Sequence, residues 1–208
     1  ALIFIVFSVI FWGLFEQSGG SLALFARYNV SHDFIGINME PNIVNNSSNA
    51  LFVILFAPVV GLLWVWLSKR KLNPLAGAKF GIGFLFLGAA YYLFFALRGT
   101  ANAAALTSLE LFTFAYLVIT LGELCVSPIG LSLMTKLSPM RMQGLMMGMW
   151  FLASGFGHYV AGIIGKSISN PDENASPTAI METATEGFKQ LGLYGLIAGV
   201  ALLALTPL

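Results

Sequence analysis

Glu16 and Glu123 are the side chains of this 208-residue chain whose setting most demands a chemical reason. Both lie inside long apolar runs, where a carboxylate costs about 2.5 to 3.5 kcal/mol to insert into lipid. Helical spacing gives each of them a polar or small stripe. Ser8, Trp12 and Glu16 recur at i, i+4 with Gly19 and Gly20 following, and Tyr116, Thr120, Glu123, Ser127 and Gly130 form the second stripe. No Lys or Arg sits in the apolar runs to neutralise Glu16, so its partner is expected to be a ligand or a segment outside this chain. A lone intramembrane carboxyl suits proton binding and release: burial favours the neutral acid and an arriving cation favours the ion. Hydrolytic or phosphoryl chemistry lacks its parts. There is no His-Glu-x-x-His, no Gly-x-Ser-x-Gly and no phosphate loop, so no catalytic residue and no metal site is assigned.

The elements that must hold these acids follow from composition. With 58% hydrophobic and 9% charged residues and a net charge of +1, the chain reads as an integral membrane protein. The basic residues form no stripe, which argues against nucleic acid as a partner, and the single Cys125 excludes an intrachain disulfide. Six stretches approach the roughly 20 apolar residues that a 30 Å bilayer core requires. They are residues 1–29, 47–68, 75–97, 109–137, 141–166 and 187–207, and none alternates as a barrel strand would, so the fold class is all-α. The apolar start at Ala1 reads as a cut into an existing transmembrane helix. Glycines spaced four apart, Gly77/Gly81, Gly144/Gly148 and Gly195/Gly199, suit close helix approach.

Charge sorts the connections into two faces. One face carries Lys69, Arg70, Lys71, Lys79, Lys136 and Arg141 with no acid, and is expected to be cytoplasmic together with both chain ends. The other holds Arg27, Arg98, Lys166 and Lys189 with Asp33, Glu40, Glu110, Asp172, Glu173, Glu182 and Glu186, which places those acids in extracytoplasmic loops. That leaves Glu16 and Glu123 as the two acids at helix centres, each in the first helix of a set of three. An inverted three-plus-three repeat brings such positions toward one cavity near the midplane. Pro128 is expected to kink the fourth helix by removing the amide that would bond the Leu124 carbonyl. Asn49 is the last strongly polar residue before an apolar run, Trp150 and Ser154 lie one turn apart, and His158 reads as an interhelical hydrogen-bonding residue. Val30 to Asn46 reads as neither a clean loop nor a helix start.

Trp12-x-x-x-Glu16-Gln17, Asn49 with Pro58 nine positions on, Glu123-Leu124-Cys125-Val126-Ser127-Pro128 and Trp150/Ser154 together resemble the proton-dependent oligopeptide transporters of the major facilitator superfamily. The likeness spans essentially the whole chain and matches that family's C-terminal six-helix bundle. It implies proton-coupled symport of di- and tripeptides by alternating access in the cytoplasmic (inner or plasma) membrane, with no cofactor beyond the coupling proton. The required partner is an N-terminal six-helix bundle that this chain does not include. By position, Glu16 is implied to serve proton coupling and gating. Glu123 is implied to serve both coupling and the substrate amino terminus, and Asn49 the peptide backbone. Ser127, Trp150, Ser154 and Trp12 line the cavity. Ala50 follows Asn49 where the family commonly has proline. The competing readings are another major-facilitator carrier, for nitrate or a drug-like solute, and less readily an ion channel or membrane enzyme.

Overall fold

The computed structural model describes residues 2–169 and 175–206. Asp172 and Glu173, assigned above to a loop, lie outside the described residues. Among the described residues seven α-helices appear in order: α1 Leu2–Phe15, α2 Ser21–Asn29, α3 Pro41–Lys69, α4 Ala76–Ala96, α5 Leu109–Lys136, α6 Gln143–Ile168 and α7 Pro177–Leu205. The last five lie in helical segments long and apolar enough to cross a bilayer. α1 is a shorter apolar helix.

The expected first helix, 1–29, is therefore two. The run Glu16-Gln17-Ser18-Gly19-Gly20 leaves the helical path, and its two glycines each cost roughly 1 kcal/mol relative to alanine inside a helix. In lipid the interrupted backbone must find other partners. Gln17, fully buried, supplies several: its Nε2 donates to the carbonyls of Gly13 and of Ala161 on α6, both at 3.2 Å, and its Oε1 accepts from Ser21 Oγ at 2.9 Å. The Tyr91 hydroxyl donates to the Leu14 carbonyl. Glu16 consequently sits just past the end of α1 and not at a helix centre.

Other boundaries move for local reasons. α3 begins at Pro41, which stands at the first helical position where its missing N–H costs nothing. The segment before it folds back as a two-residue antiparallel hairpin, β1 Asp33–Phe34 and β2 Ile37–Asn38. α7 starts ten residues before the expected 187, because the Ser176 hydroxyl caps the Ala179 amide ahead of Pro177. Glu182 and Glu186 thus ride on a helix, not in a loop, and Glu110 lies in the first turn of α5. α5 runs unbroken through Pro128.

Close approach of small residues sets the packing. A Cβ on Gly122 of α5 would lie 2.7 Å from the Gly83 carbonyl of α4, and one on Gly195 of α7 would lie 3.0 Å from Gly88 Cα of α4. The backbones meet there with no side chain between them, as membrane helices favour. A Cβ on Gly144 or Gly148 would meet nothing within 4 Å among the described residues. Aromatic rings fill the core between α2, α4, α5 and α7: Phe25, Phe94, Phe112 and Phe188 are fully buried and pack on one another at centroid distances of 5.4 to 6.3 Å.

Candidate functional site

Asn49 of α3 and Glu123 of α5 come together across the helix pair. Asn49 Nδ2 donates to Glu123 Oε2 at 2.7 Å and to Thr120 Oγ1 at 3.2 Å. Both residues are half-buried, so the amide and the carboxylate are held against each other at the edge of the bundle. A bond to an ionisable carboxyl is shorter and stronger than one between neutral groups.

Thr120 donates to the Tyr116 carbonyl at 2.8 Å, and the Tyr116 hydroxyl donates to Asn45 Oδ1. Asn45 Nδ2 in turn donates to the Ser18 carbonyl at 2.9 Å, inside the break between α1 and α2. A series of hydrogen-bonded residues therefore runs from the Glu123 carboxyl to the interrupted backbone beside Glu16, its two halves joined covalently through Tyr116, whose carbonyl accepts from Thr120 and whose hydroxyl donates to Asn45. Asn45 stood unremarked in the sequence; its position one turn before Asn49 on the same helix face is the signal that marks it.

Glu16 has a partner within the chain after all. His158 Nε2 of α6 lies 3.6 Å from Glu16 Oε2, an ion pair when the imidazole is protonated. The expectation that Glu16 finds its cation only outside the chain counted Lys and Arg and passed over this histidine, whose ring stands 6.1 Å from that of Trp12. Glu16 and His158 border a cleft of about 460 Å³ with Gly20, Gly162 and Lys166. Glu16 and Glu123 keep separate partners, His158 and Asn49.

The remaining sequence-assigned residues divide. Trp12 packs its Cβ against Gly157 of α6, where an added methyl would come within 2.4 Å, and its indole Nε1 is buried without an acceptor. Trp150 is only 3% exposed, its ring lying on Gly130 and edge-on to Phe80 at 6.1 Å. Ser127 and Ser154 are half-buried and have no hydrogen-bond partner among the described residues. The described residues contain no group of His, Cys, Asp and Glu able to hold a metal ion.

These observations describe a helical membrane bundle with two ionisable positions, and comparison with known proteins gives it a family. The family model PTR2, the POT family, matches residues 1–183. The chain belongs to the POT family. It is 39% identical over 178 residues to the peptide transporter YePEPT of Yersinia enterocolitica subsp. palearctica, covering 85% of this chain and 35% of that protein. It is 30% identical over 207 residues to the dipeptide and tripeptide permease A of Chromobacterium violaceum, covering 100% of this chain and 41% of that protein. A crystal structure of a peptide transporter POT in complex with sulfate superposes with a TM-score of 0.82 at 31% identity, over 98% of this chain and 38% of that one. The chain thus spans about two-fifths of the length of the relatives it matches, as a multi-pass membrane segment.

Proposed function

We propose that this chain is the C-terminal bundle of a proton-coupled symporter for di- and tripeptides, working by alternating access against an N-terminal bundle. The observation that carries the reading is the Asn49–Glu123 pair, an amide and a carboxylate presented side by side by two helices at 2.7 Å. A zwitterionic peptide needs an acid for its ammonium, amide partners for its backbone and cations for its carboxylate. Glu123 meets the first need and Asn49 the second; the third falls to the N-terminal bundle. Ser127, Ser154, Trp12 and Trp150 shape the cavity, with Trp150 acting from beneath through the ring it lays on Gly130.

Glu16 takes the coupling proton, with His158 and Lys166 as the cationic groups of its surroundings, and no cofactor takes part. Counted with α1 and α2 as one interrupted span, the bundle has six spans in two sets of three. The packing supports an inverted repeat: α1 lies on α6 as α3 lies on α5, α2 meets α7 as α5 meets α4, and α4 packs on α7 across the middle. An axis that exchanges α1/α2 with α5, α3 with α6 and α4 with α7 produces that pairing. Six basic residues at one end support a cytoplasmic placement of that face, and of both ends of the bundle, in the inner or plasma membrane.

Uptake of a labelled dipeptide by the full-length transporter in proteoliposomes tests the reading. Glu123→Gln is expected to lower pH-gradient-driven uptake about tenfold or more, the worth of one charge-assisted contact. Unimpaired uptake overturns the role of Glu123. Competition by unlabelled di- and tripeptides separates a peptide carrier from one for nitrate or drug-like solutes, and a conductance independent of solute indicates a channel.

A further inference from the structure

Lys79 is the only buried charged side chain among the described residues, at 7% exposure. It sits in the first turn of α4 with its ammonium 4.5 Å from the centroid of the Trp64 ring on α3. A cation–π contact offsets part of the cost of burial but supplies no acceptor. Among the described residues Lys79 has neither a carboxylate within ion-pairing distance nor a hydrogen-bond partner. The adjacent Trp64 Nε1 is likewise buried without an acceptor.

Lys79 opens onto a cleft of about 290 Å³ that it lines with Asn73, Ala76, Ser132 and Lys136. Ala76 begins α4, and Leu75 before it offers no side-chain cap, so the first amides of the helix are free at the cleft edge. Two ammonium groups, a hydroxyl, an amide and a helix N-terminus therefore converge with no anion among them. A second cleft of about 320 Å³ shares Leu75, Ala76 and Leu133 with the first. Its far walls are apolar, including Ile3, Phe4, Leu202 and Leu205.

We propose that these adjacent clefts bind one acidic phospholipid, its phosphate between Lys79 and Lys136 and an acyl chain along the apolar cleft. A phosphate group satisfies the cations and the free amides. The adjoining apolar cleft is what favours a lipid over free phosphate, which has nothing to place there. The inference uses the membrane-spanning fold and not the transport cycle, so its failure leaves the uptake reading untouched.

The test uses the full-length transporter in neutral detergent, followed by thermal unfolding and by native mass spectrometry of retained lipid. Phosphatidylglycerol is expected to bind and raise Tm more than phosphatidylcholine. Lys79→Gln and Lys136→Gln are each expected to weaken its binding about tenfold, while Arg141→Gln, on the same basic face but outside the cleft, leaves it unchanged. Lys136 is exposed, so its substitution keeps the fold even if Lys79→Gln does not, and Lys79→Arg should restore binding. Phosphatidylglycerol binding that survives both glutamine substitutions overturns the proposal. So does an equal loss in Arg141→Gln, which would indicate diffuse charge. Protection by inorganic phosphate alone, equal to that by lipid, overturns the phospholipid assignment.

Discussion

The Asn49 amide occupies Glu123 in this conformation, so a peptide ammonium arriving at the carboxyl must share or displace that bond. Displacement frees Asn49 for the peptide backbone and loosens its 3.2 Å bond to Thr120, the next member of the series that ends at the Ser18 carbonyl. Tyr116 is the middle of that series, and Tyr116→Phe removes its hydroxyl with little change in volume. One net hydrogen bond is worth about 1 kcal/mol, or roughly fivefold. Tyr116→Phe is expected to lower maximal uptake by about that factor while KM for dipeptide holds; a KM change with unaltered maximal rate would place Tyr116 in the binding site instead. Glu16→Gln should abolish proton-driven uptake yet keep counterflow exchange, and His158→Gln should reproduce that pattern more weakly because it removes only the partner at 3.6 Å. Loss of ligand binding in Glu16→Gln would show that this acid belongs to the binding site.

The break between α1 and α2 is the element on which both acids depend, since it sets Glu16 beside α6 and gives Asn45 its carbonyl. Gln17 ties that break to α6, beside the bonds from Tyr91 to the Leu14 carbonyl and from Asn45 to the Ser18 carbonyl. Gln17→Leu deprives the Gly13 and Ala161 carbonyls of a donor in a place water does not reach, at a cost of about 1 to 3 kcal/mol. A lowered Tm in detergent is expected, and an unchanged Tm would mean that the break is held by other contacts. Gly122→Val should destabilise by a similar amount, about 1 to 3 kcal/mol, through overpacking of α5 against the Gly83 carbonyl. The break escaped the sequence reading because apolar residues continue on both sides of it, so Gly19 and Gly20 read as a continuation of the stripe of Ser8, Trp12 and Glu16. The start of α7 escaped for the opposite reason. Five of its first ten residues are polar, Thr178, Glu182, Thr183, Thr185 and Glu186, and a search for apolar runs passes over them, although Ser176-Pro177 is a clear start signal. The apolar centres of the helices, by contrast, were legible because a run such as Leu51 to Leu67 contains no charge and spans a bilayer in only one way.

At the scale of the molecule, the family was legible from residue types in order along the chain, while the partners of the two acids were not. Asn49 and Glu123 lie 74 positions apart and His158 lies 142 from Glu16, distances over which a single sequence carries no geometric signal. Trp150 illustrates the same limit: the family resemblance implied a cavity wall, and its place against Gly130 became visible only once α5 and α6 were packed. The buried residues of α3, Pro41, Val44, Asn45 and Ser48, all lie in its first third, and Ile54 and Leu62 beyond them are 73% and 70% exposed. Such apolar residues meet lipid without penalty. The half-buried Glu123 and the cleft beside Glu16 are different, because a carboxyl facing hydrocarbon pays a cost that only a cation or a proton relieves. On the proposed function, Glu123 answers the peptide ammonium and the peptide carboxylate is left to the N-terminal bundle. Reconstituted alone, this chain is expected to show no pH-driven dipeptide uptake, whereas the full-length transporter, or the chain co-expressed with the preceding half, is expected to show it. Uptake by the chain alone, measured in the same proteoliposomes, would overturn the two-bundle mechanism and require that the carboxylate be held by Lys166 or His158.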